Sequence, residues 1–476
     1  MSTTRTATTS KRCATGLTRQ LPPSQGRGSA LLIGLLAIAV AIGFADSSVV
    51  VLALPELYTR FDTTIEGVAW VVTAYNAAVA VAALGLVFLV HRLRAATVLG
   101  GGLLVFTAAS IACALAGSLS FLIVARCVQG IGAALLLAGS LPVLMAVAGS
   151  AVRGATVWTL AGTFGAALGP ALGGVVTQAF GWPAIFAAQA PLAALGLLAV
   201  FAARDAPALE EGWRPSLVRT LPANACIGLL FGALVGVLFL SVLLVITVWG
   251  YSPIAGAGIV SILPAATLGA RPLEQRLPRW AAVCGGAGLL TLGLLGLALL
   301  PSASVGFALG ALTFCGAGLS LAIPILSGAA LDLGAGLTRS ATFTIGVRHL
   351  GLVLALASIA PLLASDLPSA GHRAELRATA VLLDGPVGLS KKVPVALDAR
   401  KEFARAKAGE IPDLSRPFDA HGARHDPALA AVRDRLVGAI KDTITRSFRS
   451  AFLLSALLAA GALALALFFR RGQVLE

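Results

Sequence analysis

Few ionisable residues interrupt the long apolar runs of this 476-residue chain, and those few mark where chemistry could occur. Asp46 lies in the first run and Arg126 in the fourth. A charged side chain at the centre of a bilayer costs about 2.5–3.5 kcal/mol on insertion scales, so each demands a reason. Counted from the same side of the membrane, Asp46 is about eight residues deep and Arg126 about six. At about 1.5 Å of rise per residue, their depths agree to within a few ångströms. The two could pair across a cavity, which would offset the cost of both. Alternatively, Asp46 faces a water-filled path and titrates as a proton or cation site. A static pair that only locks helices together is the third reading. Arg348 and His349 sit near the middle of the eleventh run. Neighbouring helical residues project about 100° apart, so at most one faces a path squarely. Arg348 is expected to face it and His349 to pack.

Other chemistries find no footing. There is no phosphate-binding loop, no Ser/His/Asp arrangement in a plausible site and no pair of carboxylates inside the apolar runs. A primary pump and an enzyme are therefore disfavoured, and no cofactor is expected. Cys113, Cys127, Cys226, Cys284 and Cys315 lie inside apolar runs without C-x-x-C spacing, as small packing residues do. Asp419, His421, His425 and Asp426 cluster in one polar segment, but Gly422 and Pro427 oppose the helix that a His pair four apart would need. No metal is expected. The net charge of +14 is spread over loops rather than gathered on one face, which argues against nucleic acid.

The elements that must position these residues follow from composition. The chain is 58% hydrophobic and only 12% charged, against about 25% charged for a soluble domain. Runs of about 20 apolar residues span a bilayer as helices, which satisfy their own backbone hydrogen bonds. Twelve such spans are predicted: 30–54, 66–88, 96–117, 120–148, 153–178, 183–202, 225–249, 254–270, 281–300, 304–331, 339–364 and 450–469. Arg92, Arg94, Arg153, Arg204, Arg271, Arg339 and Arg470 fall in loops on one side, whereas Arg60 stands alone in the short loops of the other. That bias places both termini in the cytoplasm of a multi-pass cell-membrane protein. The expected organisation is a disordered cytosolic tail over 1–28, a six-helix bundle over 29–202 and a cytosolic connector over 203–224. Helices 7–11 then occupy 225–364, an extracytoplasmic loop 365–449, helix 12 450–470 and a short cytosolic tail 471–476. The first helix serves as an uncleaved signal anchor. Within the loop, Val432, Leu436, Ile440, Ile444 and Phe448 recur every four residues and predict a surface helix against the bundle rim.

Span 5 carries Gly165, Gly169, Pro170, Gly173 and Gly174, a smooth groove with a kink. The run Gly165-Ala-Ala-Leu-Gly169-Pro170-Ala-Leu-Gly173-Gly174 resembles the antiporter motif of major facilitator superfamily exporters. Leu122-Ile-Val-Ala-Arg126-Cys-Val-Gln129-Gly130-Ile-Gly132 resembles the superfamily's span 4 motif. The stretch from Asp46 to Pro55 is similar to the span 1 motif of the 14-helix drug:proton antiporters. Trp70 to Tyr75, Gly250 to Pro253 and Arg348 to Gly351 resemble further stretches of that subfamily. The resemblance implies an all-α membrane protein, with about 12 helices in two six-helix bundles of the major facilitator fold. It implies proton-coupled efflux of small organic or drug-like compounds by alternating access, with Asp46 and Arg126 in proton coupling. Tyr75, Asn76, Gln129, Arg348 and His349 are the expected substrate-path residues. In the loop between spans 2 and 3, His91-Arg92 stands where the family has Asp-Arg, and Val87 and Arg94 replace its glycines. The expected partners are small molecules, protons and the lipid bilayer, and one chain suffices to enclose a path. A solute uptake permease and a non-transporting sensor or scaffold are the competing readings.

Overall fold

The computed structural model describes residues 26–89, 92–202, 217–331, 336–405 and 412–469, and everything below concerns these. Helices are their only extended secondary structure. Twelve stretches are long and apolar enough to cross a membrane. This is an all-α, multi-pass membrane protein, and the predicted spans coincide with these twelve apart from their ends. Crossing twelve times returns the chain to its starting side. The side where the first helix begins is called here the terminal face, and the opposite side the distal face.

The first bundle comprises α1 (Gly26–Val51), α3 (Ile65–Leu89), α4 (Ala95–Ala114), α5 (Leu119–Val147), α6 (Ala151–Phe180) and α7 (Pro183–Ala202). A short helix, α2 (Leu54–Arg60), follows α1 at the distal face. There Glu56 accepts a hydrogen bond from the Trp182 amide at 3.0 Å. Burial pushes the Glu56 carboxyl above its ordinary range, and that amide opposes the shift. The second bundle opens with α8 (Leu217–Val242), whose last turns widen into a π-helix over Leu243–Val248. The eighth crossing is divided into α9 (Pro253–Val260), α10 (Ile262–Gly269) and α11 (Arg271–Glu274). Then come α12 (Arg279–Ala298), α13 (Val305–Ala330) and α14 (Leu337–Asp384), and after the polar segment α18 (Arg449–Phe469). The bundles meet chiefly where α3 lies along α14 and α6 along α9.

Two stretches hold helix beyond the expected spans. Helix α8 begins at Leu217, inside the stretch 203–224 read as connector, because Pro222 is accommodated within its second turn. The rest of that connector, residues 1–25 and 471–476 of the tails, and His91 lie outside the described residues, while 26–28 of the expected tail already belong to α1. The stretch 365–449, read mostly as a loop, is largely helical. Helix α14 runs unbroken for 48 residues, about 72 Å at the α-helical rise, more than twice the thickness of a hydrocarbon core. Its distal half buries Leu367, Ala370, Ala374, Ala378 and Leu382 against Leu429, Val432, Leu436 and Ile440 of α17 (Pro427–Ser447). The apolar stripe of α17 therefore faces this helical extension, and only its last turns meet the rim. There Trp249 donates to Thr445 at 3.0 Å, and Lys441 donates to the Trp249 carbonyl at 2.8 Å. Two further helices, α15 (Leu389–Arg405) and α16 (Ser415–Ala420), connect the pair. Asp426 caps α17 by accepting the Ala428 and Leu429 amides, and it pairs with Lys391 at 2.7 Å. Lys391 holds the Asp426 carboxyl below its ordinary range.

Candidate functional site

Close helix approach sets the geometry, and glycine permits it. A Cβ on Gly165 would lie 2.2 Å from the Ala41 carbonyl oxygen, and one on Gly173 2.5 Å from that of Val49. The groove of α6 thus receives the backbone of α1. Pro170 deprives the Ala166 carbonyl of its helical partner. The Ser48 hydroxyl, bonded to the Ala45 carbonyl at 2.8 Å, also reaches that orphaned oxygen at 3.3 Å. Gly174 points elsewhere: a Cβ there would meet Ala257 of α9 at 2.2 Å, across the boundary between the bundles. One turn on, Gln178 accepts the Ile254 amide at 2.9 Å. These contacts close the distal side.

Inside the first bundle, Asp46 and Arg126 form an ion pair at 2.7 Å, and neither side chain is exposed to solvent at all. The pair belongs to a network drawn from five helices. Arg126 donates to the Val71 carbonyl at 3.0 Å and to Gln129 at 2.6 Å. Gln129 donates to Ser110 at 2.8 Å and to Gln189 at 2.9 Å, and Gln189 donates back to Asp46 at 3.1 Å. The Tyr75 ring covers the Arg126 guanidinium at 4.2 Å, while its hydroxyl donates to the Gly43 carbonyl at 3.1 Å. A buried charge that loses its partner costs about 3–5 kcal/mol, so this ring of hydrogen bonds, accepting from Arg126 and donating to Asp46, is what makes the pair tolerable.

A second polar link joins the bundles. Asn76 donates from its amide nitrogen to the Val72 carbonyl at 2.7 Å, which leaves its oxygen to accept from Ser47 at 3.0 Å. His349 of α14 approaches the same oxygen through Nδ1 at 2.7 Å. That oxygen can only accept, so Nδ1 carries the proton. The Nε2 atom of His349 is buried with no hydrogen-bond partner.

Between the bundles lies a cavity of about 260 Å³. Its wall runs from Ser48, Pro170 and Leu238 at mid-depth to Arg271, Leu331 and Ala341 at the terminal face. The described lining thus extends to the terminal face, whereas α6 and α9 are in contact at the distal side. Arg348 is the charged group in its depth. The guanidinium carbon lies 4.0 Å from the centre of the Phe231 ring and 4.7 Å from that of Phe44, one ring from each bundle. A Cβ on Gly351 would fall 2.0 Å from the Gly228 carbonyl, and this close crossing of α8 and α14 sets Arg348 beside Phe231.

Of the five expected path residues, Arg348 alone lines the cavity. Tyr75, Asn76 and Gln129 are fully buried behind its wall, and His349 lies in the contact between α3 and α14. Asp46 and Arg126 also sit behind the wall, whereas Ser47 and Ser48 on the next positions of α1 belong to it. Arg92 is exposed at the terminal face. Sequence reasoning missed Gln189, although it is the one strongly polar residue in α7 and intramembrane polarity is itself a signal. The roles of Phe44 and Phe231 carried no signal, because an aromatic in an apolar run reads as core. His421 bonds Asp398 at 3.0 Å, and no three metal-ligand side chains gather among the described residues.

Comparison with known proteins gives a consistent family. A model of the Major Facilitator Superfamily matches residues 36–364. The chain is 36% identical over 173 residues to the multidrug resistance protein Stp of Mycobacterium tuberculosis, covering 34% of this chain and 32% of that protein. It is 36% identical over 171 residues to the methylenomycin A resistance protein of Streptomyces coelicolor, covering 34% and 36%. It is 28% identical over 173 residues to the riboflavin transporter RibZ of Clostridioides difficile, covering 36% and 37%. Each match therefore spans about a third of the relative's length. A bacterial homologue of the human lysosomal transporter Spinster, solved in an inward-facing occupied conformation, superposes with a TM-score of 0.64. The superposition covers 94% of this chain and 98% of that one at 13% identity, a likeness of fold.

Proposed function

The chain belongs to the major facilitator superfamily, and from that premise we propose that this transporter exports small organic compounds in exchange for protons. The observation that carries the proposal is the solvent-free Asp46–Arg126 pair directly behind the cavity wall. In this reading the terminal face is cytoplasmic, and both ends of the chain lie on that side of the cell membrane. One chain encloses the whole cavity and works as a monomer. Substrate enters the cavity from the cytoplasm while α6 and α9 hold the distal side shut.

Protonating Asp46 turns an ion pair into a charged guanidinium facing a neutral acid, and the Arg126 side chain is then held by its hydrogen bonds to Val71 and Gln129 and by the Tyr75 ring. The helix that carries Asp46 also carries Phe44, Ser47 and Ser48 into the cavity wall. A proton at Asp46 therefore shifts the surface on which substrate rests, and by reciprocity substrate shifts the affinity for the proton. Coupling of this kind needs the carboxyl and the substrate to be on opposite sides of one helix, and the buried Asp46 beside the cavity-lining Ser47 and Ser48 supports it. The likeness to a riboflavin transporter keeps uptake through the same cavity as a second reading.

The test is accumulation of radiolabelled organic compounds by inside-out membrane vesicles under an imposed proton gradient, interior acidic. Accumulation that a protonophore collapses is the expected result. Accumulation without a gradient, or efflux from such vesicles, would refute proton-driven export.

A further inference from the structure

We propose that the transported compounds are amphiphilic anions, with Arg348 as the anchor for a carboxylate or similar acidic group. This rests on the cavity being the transport path. Among the described residues the cavity wall contains no Asp or Glu, and Asp46 is spent on Arg126 behind the wall. The carboxylate that a lipophilic cation would seek is thus shielded from it.

Arg348 is in the opposite situation. Its guanidinium carries five N–H donors. Among the described residues it donates no hydrogen bond and pairs with no carboxylate, and its Nε is buried without a partner. Phe44 and Phe231 hold it by cation–π contact, but aromatic rings leave the in-plane donors unmet. His349 beside it already faces Asn76, and Tyr75 is committed to Gly43. The second cation of the wall, Arg271 at the mouth, shares a helical turn with Glu274 and adds to the attraction of anions toward the cavity. A planar guanidinium with free donors matches a carboxylate in a two-point contact. The remaining wall is largely apolar, with Trp158, Ile227, Leu234 and Leu263 placed to cover a hydrocarbon or aryl body. The anchor touches one ring from each bundle, so a bound anion would draw on both halves at once.

Equilibrium dialysis of the purified full chain in detergent against radiolabelled 2-naphthoate, 2-naphthamide and 2-naphthylmethylammonium tests this directly. The naphthoate should bind about 10- to 100-fold more tightly than the neutral amide, the range expected for a hydrogen-bonded charge pair. Arg348→Gln should weaken naphthoate far more than amide binding and so erase that preference, with the amide binding that remains reporting an intact cavity, and Arg348→Lys should keep part of it. Tightest binding of the ammonium compound, equal values for all three, or a naphthoate preference that survives Arg348→Gln would overturn the proposal. If vesicles still accumulated cations under a proton gradient, the anion assignment would fall and proton-driven export would stand.

Discussion

At the residue scale the decisive feature is that Asp46 and Arg126 stabilise each other only as a pair. Arg126→Leu strands a carboxylate inside five helices, a loss of about 3–5 kcal/mol, whereas replacing both partners with leucine is nearly neutral. Thermal unfolding of the purified variants should therefore show a large drop for Arg126→Leu and recovery in Asp46→Leu/Arg126→Leu. Equal instability of the single and double variants would contradict the pairing. Matching depth along two helices made this contact legible in the sequence. Depth says nothing about rotation about the helix axis, however. It could not tell that Asp46 turns into the bundle while Ser47 and Ser48 turn to the cavity. For the same reason Gln129 and Tyr75 read as path residues, yet they close the network around Arg126.

At the element scale, glycine placement separates two functions within one helix. Gly165, Gly169 and Gly173 fit α6 to α1 inside a bundle, whereas Gly174 meets α9 of the other bundle. Gly174→Leu should leave the first bundle folded but keep the distal side from closing. Spin labels on the distal ends of α6 and α9 would then report longer distances than in the wild type. A distance distribution identical to wild type would count against α6 and α9 as the distal closure. The sequence showed the glycine spacing but not which residue crosses between bundles, because partner choice depends on how the two halves dock. The helical extension was legible by half. The stripe of Val432, Leu436, Ile440 and Ile444 announces α17, but its partner stripe on α14 is mostly alanine in a polar context and carries no hydrophobic signature. Small residues there let the two helices approach closely rather than bury bulk.

At the scale of the whole molecule, twelve spans followed from apolar run length, since a bilayer leaves the backbone few alternatives, and their grouping in two bundles from the polar connector and the family resemblance. The chemistry of the cavity did not follow. Which charges face it depends on how twelve helices are rotated, and the outcome among the described residues is a wall with arginines and no carboxylate in front of a sealed ion pair. In the proposed reading α1 is the shared wall between proton site and substrate site, and alternating access is the motion that would use it. The most direct test follows protons themselves. Wild type and Asp46→Asn would be reconstituted in vesicles enclosing a pH-sensitive dye, and aryl carboxylates would be added without any imposed gradient. Substrate-dependent proton release in the wild type, absent in Asp46→Asn although the variant still binds the same compounds, is the predicted result. Proton release that persists undiminished in Asp46→Asn, or its absence in a wild type that demonstrably carries the compound, would contradict coupling at Asp46.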